Sequence, residues 1–193
     1  MLEYLKQLDI KILLAINGLH TPFLDKCMLV ITHRYTWIPL YLFILGFLFV
    51  KKEKKAILPI LFMIAAIVSS DLFASSLMKP LFLRLRPCHN AEVSQLLYLI
   101  EDVCGGRYGF ISSHAANTFA FVTFLLLYIG NEYKWVKFLF AWSILVSVSR
   151  VYLGVHYPAD VTAGALAGSG LAWIFYYLLK ITEKNFLKIK TEV

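Results

Sequence analysis

The sequence predicts an all-α integral membrane protein, a bundle of about five transmembrane helices with an amphipathic helix at the N-terminus. Three observations predict this class. Of the 193 residues, 60% are hydrophobic and only 16% are charged, which is too apolar for an ordinary soluble domain. The apolar residues gather into runs that approach the length of about 20 residues that a membrane span needs. The Lys residues stand in short clusters at the ends of these runs, which is typical of membrane topology and argues against a basic stripe that binds nucleic acid.

The N-terminal segment predicts an amphipathic helix. Charged residues recur at positions 3, 6, 9 and 11, too often for the apolar core of a cleaved signal peptide. The apolar residues share a helical spacing and are Leu2, Leu5, Leu8, Ile12, Leu13 and Ile16. Two arrangements fit this pattern equally well. The helix lies in the headgroup region of the bilayer, or it packs on the rest of the protein.

Five apolar runs predict the membrane crossings. The first covers residues 36–50, and because it is short for a span we expect its helix to begin earlier, near His33. The other four cover residues 56–78, 115–129, 135–151 and 159–179. A sixth crossing follows if residues 10–32 also insert. No internal boundary is visible, so we treat residues 1–193 as a single domain.

The distribution of charge predicts the orientation. Counting crossings places a long polar loop, residues 79–113, on the same side as the short segment 149–160. Segments 51–55, 131–137 and 180–193 fall on the other side and hold ten Lys and four Glu, whereas the remaining residues hold nine basic and eight acidic side chains. Lys-rich loops are typically cytoplasmic. We therefore expect the long loop to face the periplasm or exterior of a bacterial cytoplasmic membrane, with the C-terminus inside.

Two cysteines fall in the long loop. Cys88 and Cys104 have 15 residues between them, and an outward-facing compartment permits a disulfide that stabilises the loop by roughly 3 kcal/mol. Two free thiols are the alternative. Cys27 suits a small packed side chain, and no spacing in the chain indicates a zinc site.

Three polar clusters stand at the outward ends of the predicted spans. They contain Lys79 and Arg86, then Ser112, Ser113 and His114, and finally Arg150, His156 and Asp160. The three cations have no excess of carboxylates nearby, and Arg matches phosphate oxygens in a bidentate manner. The two serines are good N-cap residues, so the helix that follows would direct backbone NH groups toward the same anion. The pattern predicts a phosphate site.

Two histidines suit the chemical step. His156 precedes Asp160 by four residues, and Pro158 between them suits a first helical turn. The carboxylate can then accept a hydrogen bond from one ring nitrogen and leave the other free as a nucleophile. His114, at a different helix end, is placed to protonate a leaving oxygen and then to deprotonate water. This scheme requires no metal and no other cofactor.

The three clusters resemble a known family signature. Lys79 and Arg86 with Pro87, the pair Ser112 and His114, and the run from Ser149 to Asp160 resemble the three-part motif of the type 2 phosphatidic acid phosphatase superfamily. That superfamily includes bacterial lipid phosphatases and vanadium haloperoxidases. The third part is complete, whereas the second has Ile111 in place of the usual Pro and Ser113 in place of the usual Gly.

The resemblance implies a helical bundle with its site at helix ends. It implies a phosphohistidine at His156, oriented by Asp160, with His114 as acid and then base. It also implies a set of residues that hold the phosphoryl oxygens, namely Lys79, Arg86, Ser112, Ser113 and Arg150.

A site at the membrane surface selects a lipid substrate. Undecaprenyl diphosphate, phosphatidylglycerophosphate, phosphatidic acid and lipid A phosphates all place a phosphate beside a bilayer-embedded chain, and the sequence does not choose among them. A vanadate-dependent haloperoxidase is one alternative, although known members are soluble. A non-catalytic lipid carrier is another, although both histidines and Asp160 are retained.

Three further features have structural interpretations. Asp71 lies inside a predicted span, where Ser69, Ser70 and Ser75 can satisfy it. The GxxxG at residues 164–168 favours close packing inside the bundle over dimerisation. Arg84, His89 and Arg107 lie in the long loop, and contact with a lipid headgroup and simple solvation are the two interpretations, of which we expect solvation.

Overall fold

The computed structural model describes residues 2–100 and 103–192, and it contains no β-strand within these residues. The all-helical class is therefore confirmed. The α-helices of the described chain are α1 (Leu2–Asn17), α2 (Pro22–Thr32), α3 (Ile38–Lys52), α4 (Ile57–Leu72), α5 (Lys79–Phe82), α6 (Ala91–Ser94), α7 (Ser113–Ile129), α8 (Leu139–Tyr152) and α9 (Pro158–Glu192).

Membrane-spanning length is reached by three apolar helical stretches of the described chain, Ile38–Phe82, Lys134–Tyr152 and Pro158–Asn185, and α7 is a shorter apolar helix. The first stretch has 45 residues and breaks at Glu53, where φ is +52°. Beyond this break the chain reverses. Lys52 at the end of α3 pairs with Glu132, which follows α7, whereas Asp71 near the end of α4 bonds Asn117 near the start of α7. Five apolar segments thus run through the bundle, in the order that the sequence predicts.

The region before α3 differs from the prediction. The helix begins at Ile38, not near His33, because residues 34–37 form turns and Pro39 occupies the first turn of α3. Residues 10–32 form no single helix, since α1 ends at Asn17 and α2 is separate. With 11 residues, α2 rises about 17 Å, which is less than the hydrocarbon thickness of a bilayer.

Helix α1 packs on the rest of the protein, which is one of the two arrangements that its sequence allows. Asp9, Leu13 and Asn17 are buried against the bundle, and the Asn17 amide donates to the backbone oxygen of Tyr152 at 2.7 Å. The opposite face leaves apolar side chains exposed, namely Tyr4, Leu5, Leu8 and Ile12. The helix therefore packs on the end of α8 and the start of α9 while presenting an apolar stripe suited to a membrane interface.

The centre of the bundle is α7, which packs against α4, α8 and α9. Two glycines of α9 allow its close approach. A Cβ atom on Gly168 would lie 2.0 Å from the backbone oxygen of Ala116, and one on Gly164 would lie 2.5 Å from that of Ser112. The expectation that the GxxxG serves packing inside the bundle is confirmed.

Helix α4 continues beyond its predicted end. It passes through a π-helical turn, Phe73–Met78, into α5, and the helix stops where Leu83 adopts a left-handed conformation with φ +48°. Lys79, which the sequence analysis placed at the start of the loop, therefore lies on this helix. A rigid element rather than a loop positions the first cation of the predicted site.

Candidate active site

The long loop between α5 and α7 folds back on itself. The backbone NH of Gly109 donates to the backbone oxygen of Arg84 at 2.9 Å, and the backbone NH of Arg86 donates to the backbone oxygen of Arg107 at 3.1 Å. Leu85 and Tyr108 form an isolated antiparallel bridge between these contacts. In such an extended segment, residues two apart point to the same side. Arg84 and Arg86 are consequently both directed to one face.

A disulfide closes this folded loop. The structure pairs Cys88 with Cys104, whose Cα atoms lie 6.1 Å apart, and Cys88 is only two residues from Arg86. Cys27 is free. The bridge thus ties the segment that carries one predicted phosphate ligand to the segment that leads back toward α7.

Removing the disulfide is expected to loosen the site. A Cys88→Ser, Cys104→Ser double variant should melt several degrees lower, because closure of a loop with a separation of 16 residues contributes about 3 kcal/mol. Its KM should rise because Arg86 is less well fixed. Thermal unfolding and lipid phosphatase assays in detergent measure both effects. Cys27→Ser is the control, and a double variant that matches it in both assays would show that the bridge does not hold the loop.

The three predicted cations are drawn together without acidic partners. Arg86 and Arg150 are 9% and 8% exposed, and Lys79 donates to the Ser113 hydroxyl at 3.0 Å. Within the described chain none of the three forms a salt bridge. The Nε atom of Arg150 is buried and also has no hydrogen-bond partner there. Buried cations in this state provide a strong site for an anion.

The N-terminus of α7 borders the same site. Ser112 occupies the N-cap position, as predicted, but its hydroxyl makes no capping bond, and this buried atom has no partner among the described residues. The backbone NH of Ser112 donates to the backbone oxygen of Asp160 at 3.0 Å. This hydrogen bond joins the first turns of α7 and α9. The Ser112 hydroxyl is therefore available to a phosphoryl oxygen.

His156 and Asp160 lie side by side at the start of α9. They are 2% and 0% exposed, and the distance between His156 Nδ1 and Asp160 Oδ2 is 3.5 Å. This is a close approach rather than the hydrogen bond that the sequence suggested, because Nδ1 has no partner within the described residues and Oδ2 accepts from the backbone NH of Tyr157 at 3.0 Å. Pro158 begins α9, as its sequence position predicts.

The second histidine enters from another helix. His114 lies in the first turn of α7, one residue after Ser113, and lines a cavity between the helices. The two histidines are thus carried by separate helix ends, as the sequence predicts.

Burial holds the pKa of His156 well below its ordinary value. The positive charges of Arg86, Arg150 and Lys79 lower this pKa further, while the nearby Gly109 carbonyl opposes them. All three cations therefore lie close enough to the ring to act on its charge. The ring stays neutral at physiological pH, which is the form in which a histidine nitrogen is a nucleophile.

The lowered pKa predicts a pH dependence of stability. Below pH 6.5 the unfolded chain binds a proton at His156 that the folded chain excludes, so this histidine destabilises the fold increasingly as the pH falls. Relative to wild type, a His156→Gln variant should therefore melt progressively higher as pH is lowered from 7.5 to 5. Melting curves in detergent test this, with His89→Gln, an exposed loop histidine, as the control. A constant difference between His156→Gln and wild type would contradict it.

Gly109 lies against His156 and Asp160. A Cβ atom there would be 3.2 Å from Asp160 Oδ2, 3.5 Å from His156 Nδ1 and 3.1 Å from Arg86 Cγ. Gly109→Ala is therefore expected to reduce kcat by about 10- to 100-fold, since small displacements of reacting groups carry costs of this size. The control is Gly106→Ala, which would meet no atom within 4 Å. Equal kcat in the two variants would show that the pair tolerates displacement.

One contributor was missed by the sequence analysis. Arg84 is not a solvated loop residue, because its guanidinium bonds Asp160 Oδ1 at 2.7 Å and Asp9 Oδ2 at 2.6 Å. Its spacing of two residues from Arg86 was the available signal, since both then point to one side of an extended segment. The partner Asp9, 75 residues away in sequence, carried no local signal.

Asp71, the acid inside a predicted span, has a different hydrogen-bond partner from the one that the sequence suggested. The side chain of Asp71 accepts a hydrogen bond from the Asn117 amide at 3.0 Å, on the neighbouring helix α7. Ser75, which was expected to satisfy the Asp71 side chain, donates instead to its backbone oxygen at 2.7 Å. The structural interpretation of Asp71 thus holds with a different donor.

An apolar cavity adjoins the histidine side of the site. Its volume is about 520 Å³, and Ser113 and His114 line one end. The walls come from α3, α4, α7 and α8, and most are hydrophobic, including Tyr41, Leu45, Met63, Ile64 and Phe121. From His114 to Phe121 the helix rises about 10 Å, so the cavity extends well into the apolar layer. Its shape and lining suit a lipid chain whose polar end lies near His114.

The comparisons with known proteins agree with this geometry. The profile of the PAP2 superfamily matches residues 56–183. The chain is 36% identical over 95% of its length to the lipid A 4'-phosphatase of Bacteroides thetaiotaomicron, covering 83% of that protein, and 32% identical over 96% of its length to that of Porphyromonas gingivalis, covering 79%. An undecaprenyl-diphosphatase of Sulfolobus acidocaldarius is 30% identical over 96% of the chain, with 80% of that protein covered.

Solved structures share the fold. A transmembrane PAP2-type phosphatidylglycerolphosphate phosphatase from Bacillus subtilis superposes with a TM-score of 0.68 at 23% identity, over 94% of this chain and 87% of that one. Aquifex aeolicus LpxE superposes with a TM-score of 0.60 at 27% identity, over 87% of this chain and 94% of that one.

Proposed function

Because the chain belongs to the PAP2 superfamily and is a membrane lipid phosphatase, we propose that it removes the phosphate of a lipid A-type glycolipid through a phosphohistidine at His156. The relatives that are 36% and 32% identical, both lipid A 4'-phosphatases, support this substrate. The relative that is 30% identical supports undecaprenyl diphosphate as the second candidate.

One observation carries the mechanism. Lys79, Arg86 and Arg150 lie close enough to the His156 ring to lower its pKa, and within the described chain none of them is paired with an acid. Burying unpaired cations is costly unless an anion completes the site. A phosphoryl group supplies three equatorial oxygens on which negative charge remains in the transition state. The Ser112 hydroxyl and Arg150 Nε, both buried and unpartnered, are additional donors for these oxygens.

The reaction proceeds in two displacements. A ring nitrogen of His156 attacks phosphorus while the bond from phosphorus to the lipid oxygen breaks. His114, which is protonated when the anionic phosphate offsets the neighbouring cations, donates its proton to that oxygen. Water then attacks the phosphohistidine, His114 accepts the proton of the water, and the bond from nitrogen to phosphorus breaks. Inorganic phosphate leaves and both histidines return to their starting states. Asp160, 3.5 Å from Nδ1, stabilises the positive charge that the ring acquires.

The lipid part remains at the membrane. The cavity of about 520 Å³ beside His114 accommodates part of an acyl chain while the phosphate occupies the cationic site. By the charge distribution, we place this site at the outer face of the membrane, with the Lys-rich segments in the cytoplasm. An impermeant thiol reagent should then label Cys88 and Cys104 in intact cells after reduction. Labelling that occurs only after the reagent is admitted to the cytoplasm would show that the protein has the opposite orientation.

The proposal is tested with a panel of lipid substrates. Purified protein in detergent is given lipid A, undecaprenyl diphosphate, phosphatidylglycerophosphate and phosphatidic acid, and released phosphate is measured with and without a chelator. We expect lipid A to give the highest kcat/KM and the chelator to have no effect, since the proposed steps use only side chains. Preference for undecaprenyl diphosphate would replace the substrate assignment, and a requirement for divalent metal would overturn the metal-free mechanism.

The two alternatives considered from the sequence have distinct outcomes. A haloperoxidase would oxidise halide when supplied with vanadate and peroxide, and a non-catalytic carrier would release no phosphate from any lipid. The relatives are lipid phosphatases, which favours neither alternative.

A further inference from the structure

We propose that Arg84 is a positioning residue of the active site, which holds Asp160 against His156 and is itself held by Asp9 of the N-terminal helix. The inference rests on the proposed mechanism, in which Asp160 serves His156. It adds two residues, Arg84 and Asp9, that lie outside the phosphate-binding set.

The contacts form a continuous chain from α1 to His156. Asp9 Oδ2 accepts from Arg84 Nη2 at 2.6 Å, and Arg84 Nη1 donates to Asp160 Oδ1 at 2.7 Å. The other oxygen of Asp160 faces His156 Nδ1 at 3.5 Å. Arg84 therefore fixes one carboxylate oxygen and leaves the other to the histidine, which is the arrangement that an orienting carboxylate requires.

The guanidinium is fixed on its other sides as well. It lies 4.1 Å above the ring of Tyr157, the residue between His156 and the start of α9. The backbone oxygen of Arg84 accepts a hydrogen bond from the backbone NH of Gly109 at 2.9 Å, next to His156. With 30% of its side chain exposed, Arg84 is partly solvated, but its charged end is bound by two carboxylates. A lysine at this position would not reproduce both contacts, because a single ammonium group lacks the planar fork of donors that bonds one carboxylate on each side.

Asp160 depends on this partner. Its side chain is completely buried, and within the described chain Arg84 is its only salt-bridge partner other than the neighbouring His156. A buried carboxylate without a cation is strongly disfavoured. Within the described chain none of the three cations of the phosphate site forms a salt bridge with Asp160. Arg84 thus supplies the paired charge that holds the Asp160 carboxylate in place.

Asp9 connects the arrangement to the N-terminal helix. Its second oxygen accepts from the backbone NH of Ala159 in the first turn of α9, at 2.8 Å, and the side chain is 8% exposed. Asp9 therefore anchors α1 both to Arg84 and to the helix that carries Asp160. The amphipathic helix contributes to the site through this one carboxylate.

The test compares kcat and KM for Arg84→Gln, Arg84→Lys and Asp9→Asn with lipid substrate in detergent. Arg84→Gln should reduce kcat by about 10- to 100-fold, as loss of an orienting partner does elsewhere, and change KM by less than about threefold. Arg84→Lys should recover part of the lost kcat because it retains the charge. Asp9→Asn should reduce kcat less than Arg84→Gln, since Asp160 keeps its direct contact.

A double-mutant cycle separates positioning from a general structural role. If Arg84 acts through Asp160, adding Arg84→Gln to an Asp160→Asn variant should change kcat by less than about threefold. Multiplicative losses in the double variant would overturn the proposal. Melting curves accompany each variant, so that a low kcat is interpreted only for protein that remains folded. If Arg84→Gln does not fold, the cycle is run with Arg84→Lys.

Matched controls exclude loss of charge as the cause. Arg107→Gln removes an exposed arginine from the same loop, and Glu3→Gln removes an exposed acid from the same helix as Asp9. Both should keep kcat within about twofold of wild type, and a loss in Arg107→Gln equal to that in Arg84→Gln would overturn the proposal. Failure of the proposed mechanism is distinguishable, because a His156→Gln variant would then remain active. An inactive His156→Gln beside a fully active Arg84→Gln would overturn the positioning role alone.

Discussion

Replacing His156 with Gln is expected to abolish phosphate release from every lipid substrate, lowering kcat by at least about 10⁴-fold. The amide has a size close to that of the ring, but it has no nucleophilic nitrogen, so no phosphoenzyme can form. Arg86, Arg150 and Lys79 would remain near the vacated position. Substrate should therefore still bind, and the loss should appear in kcat rather than in KM.

The binding part of this prediction has its own measurement. Inorganic phosphate should protect wild type and His156→Gln against thermal unfolding to a similar extent at pH 7.5, because the anion contacts cations that the substitution leaves in place. His89→Gln, on the exposed loop, should match wild type in both kcat and protection. Residual turnover above about 1% in His156→Gln would require another nucleophile and would refute the phosphohistidine mechanism.

Substitution of Gly168 by Ala is expected to have the largest effect of any change outside the chemical groups. The added Cβ would lie 2.0 Å from the backbone oxygen of Ala116, so α7 and α9 must move apart. Helix α7 carries Ser112 and His114, and α9 carries Asp160. A separation of about 1 Å would therefore displace the two halves of the site relative to each other and reduce kcat by about 100-fold.

A second glycine on the same helix provides the matched control. A Cβ on Gly170 would meet no atom within 4 Å, so Gly170→Ala should preserve kcat and leave the melting temperature unchanged or slightly higher, since Ala favours a helix over Gly. Gly168→Ala should melt several degrees lower, as expected for overpacking. If the two variants behave alike, the close contact between α7 and α9 does not position the site.

The membrane helices were accessible to sequence reasoning because each carries its own signal. An apolar run has nearly the same bounds in the sequence and in the fold at residues 115–129, where α7 is Ser113–Ile129. Helix ends that depend on local backbone conformation could not be predicted from the sequence. The start of α3 at Ile38 depends on turns before Pro39, and the continuation of α4 to Phe82 depends on a π turn, neither of which changes hydropathy.

The candidate site likewise has features that the sequence predicts and features that it does not. Lys79, Arg86, Arg150 and His156 lie at the ends of helices or in the segments that join them, where chemistry and spacing can be read locally, and the structure does bring them together. The contact of Arg84 with Asp9 joins residues 75 positions apart, and it depends on how an amphipathic helix docks on the finished bundle. No property of either residue taken alone predicts it.

The π-helical turn Phe73–Met78 sets the rotational register of Lys79. Such a turn accommodates one residue more than an α-helical turn, and one residue corresponds to about 100° of rotation about the helix axis. If all of these residues wound as regular α-helix, the ammonium group of Lys79 would swing away from Ser113, whereas deleting one residue between Asp71 and Lys79 would restore regular α-helix and keep its direction. The direction of the first cation is thus determined within the membrane-spanning segment, several residues before the motif that contains it begins.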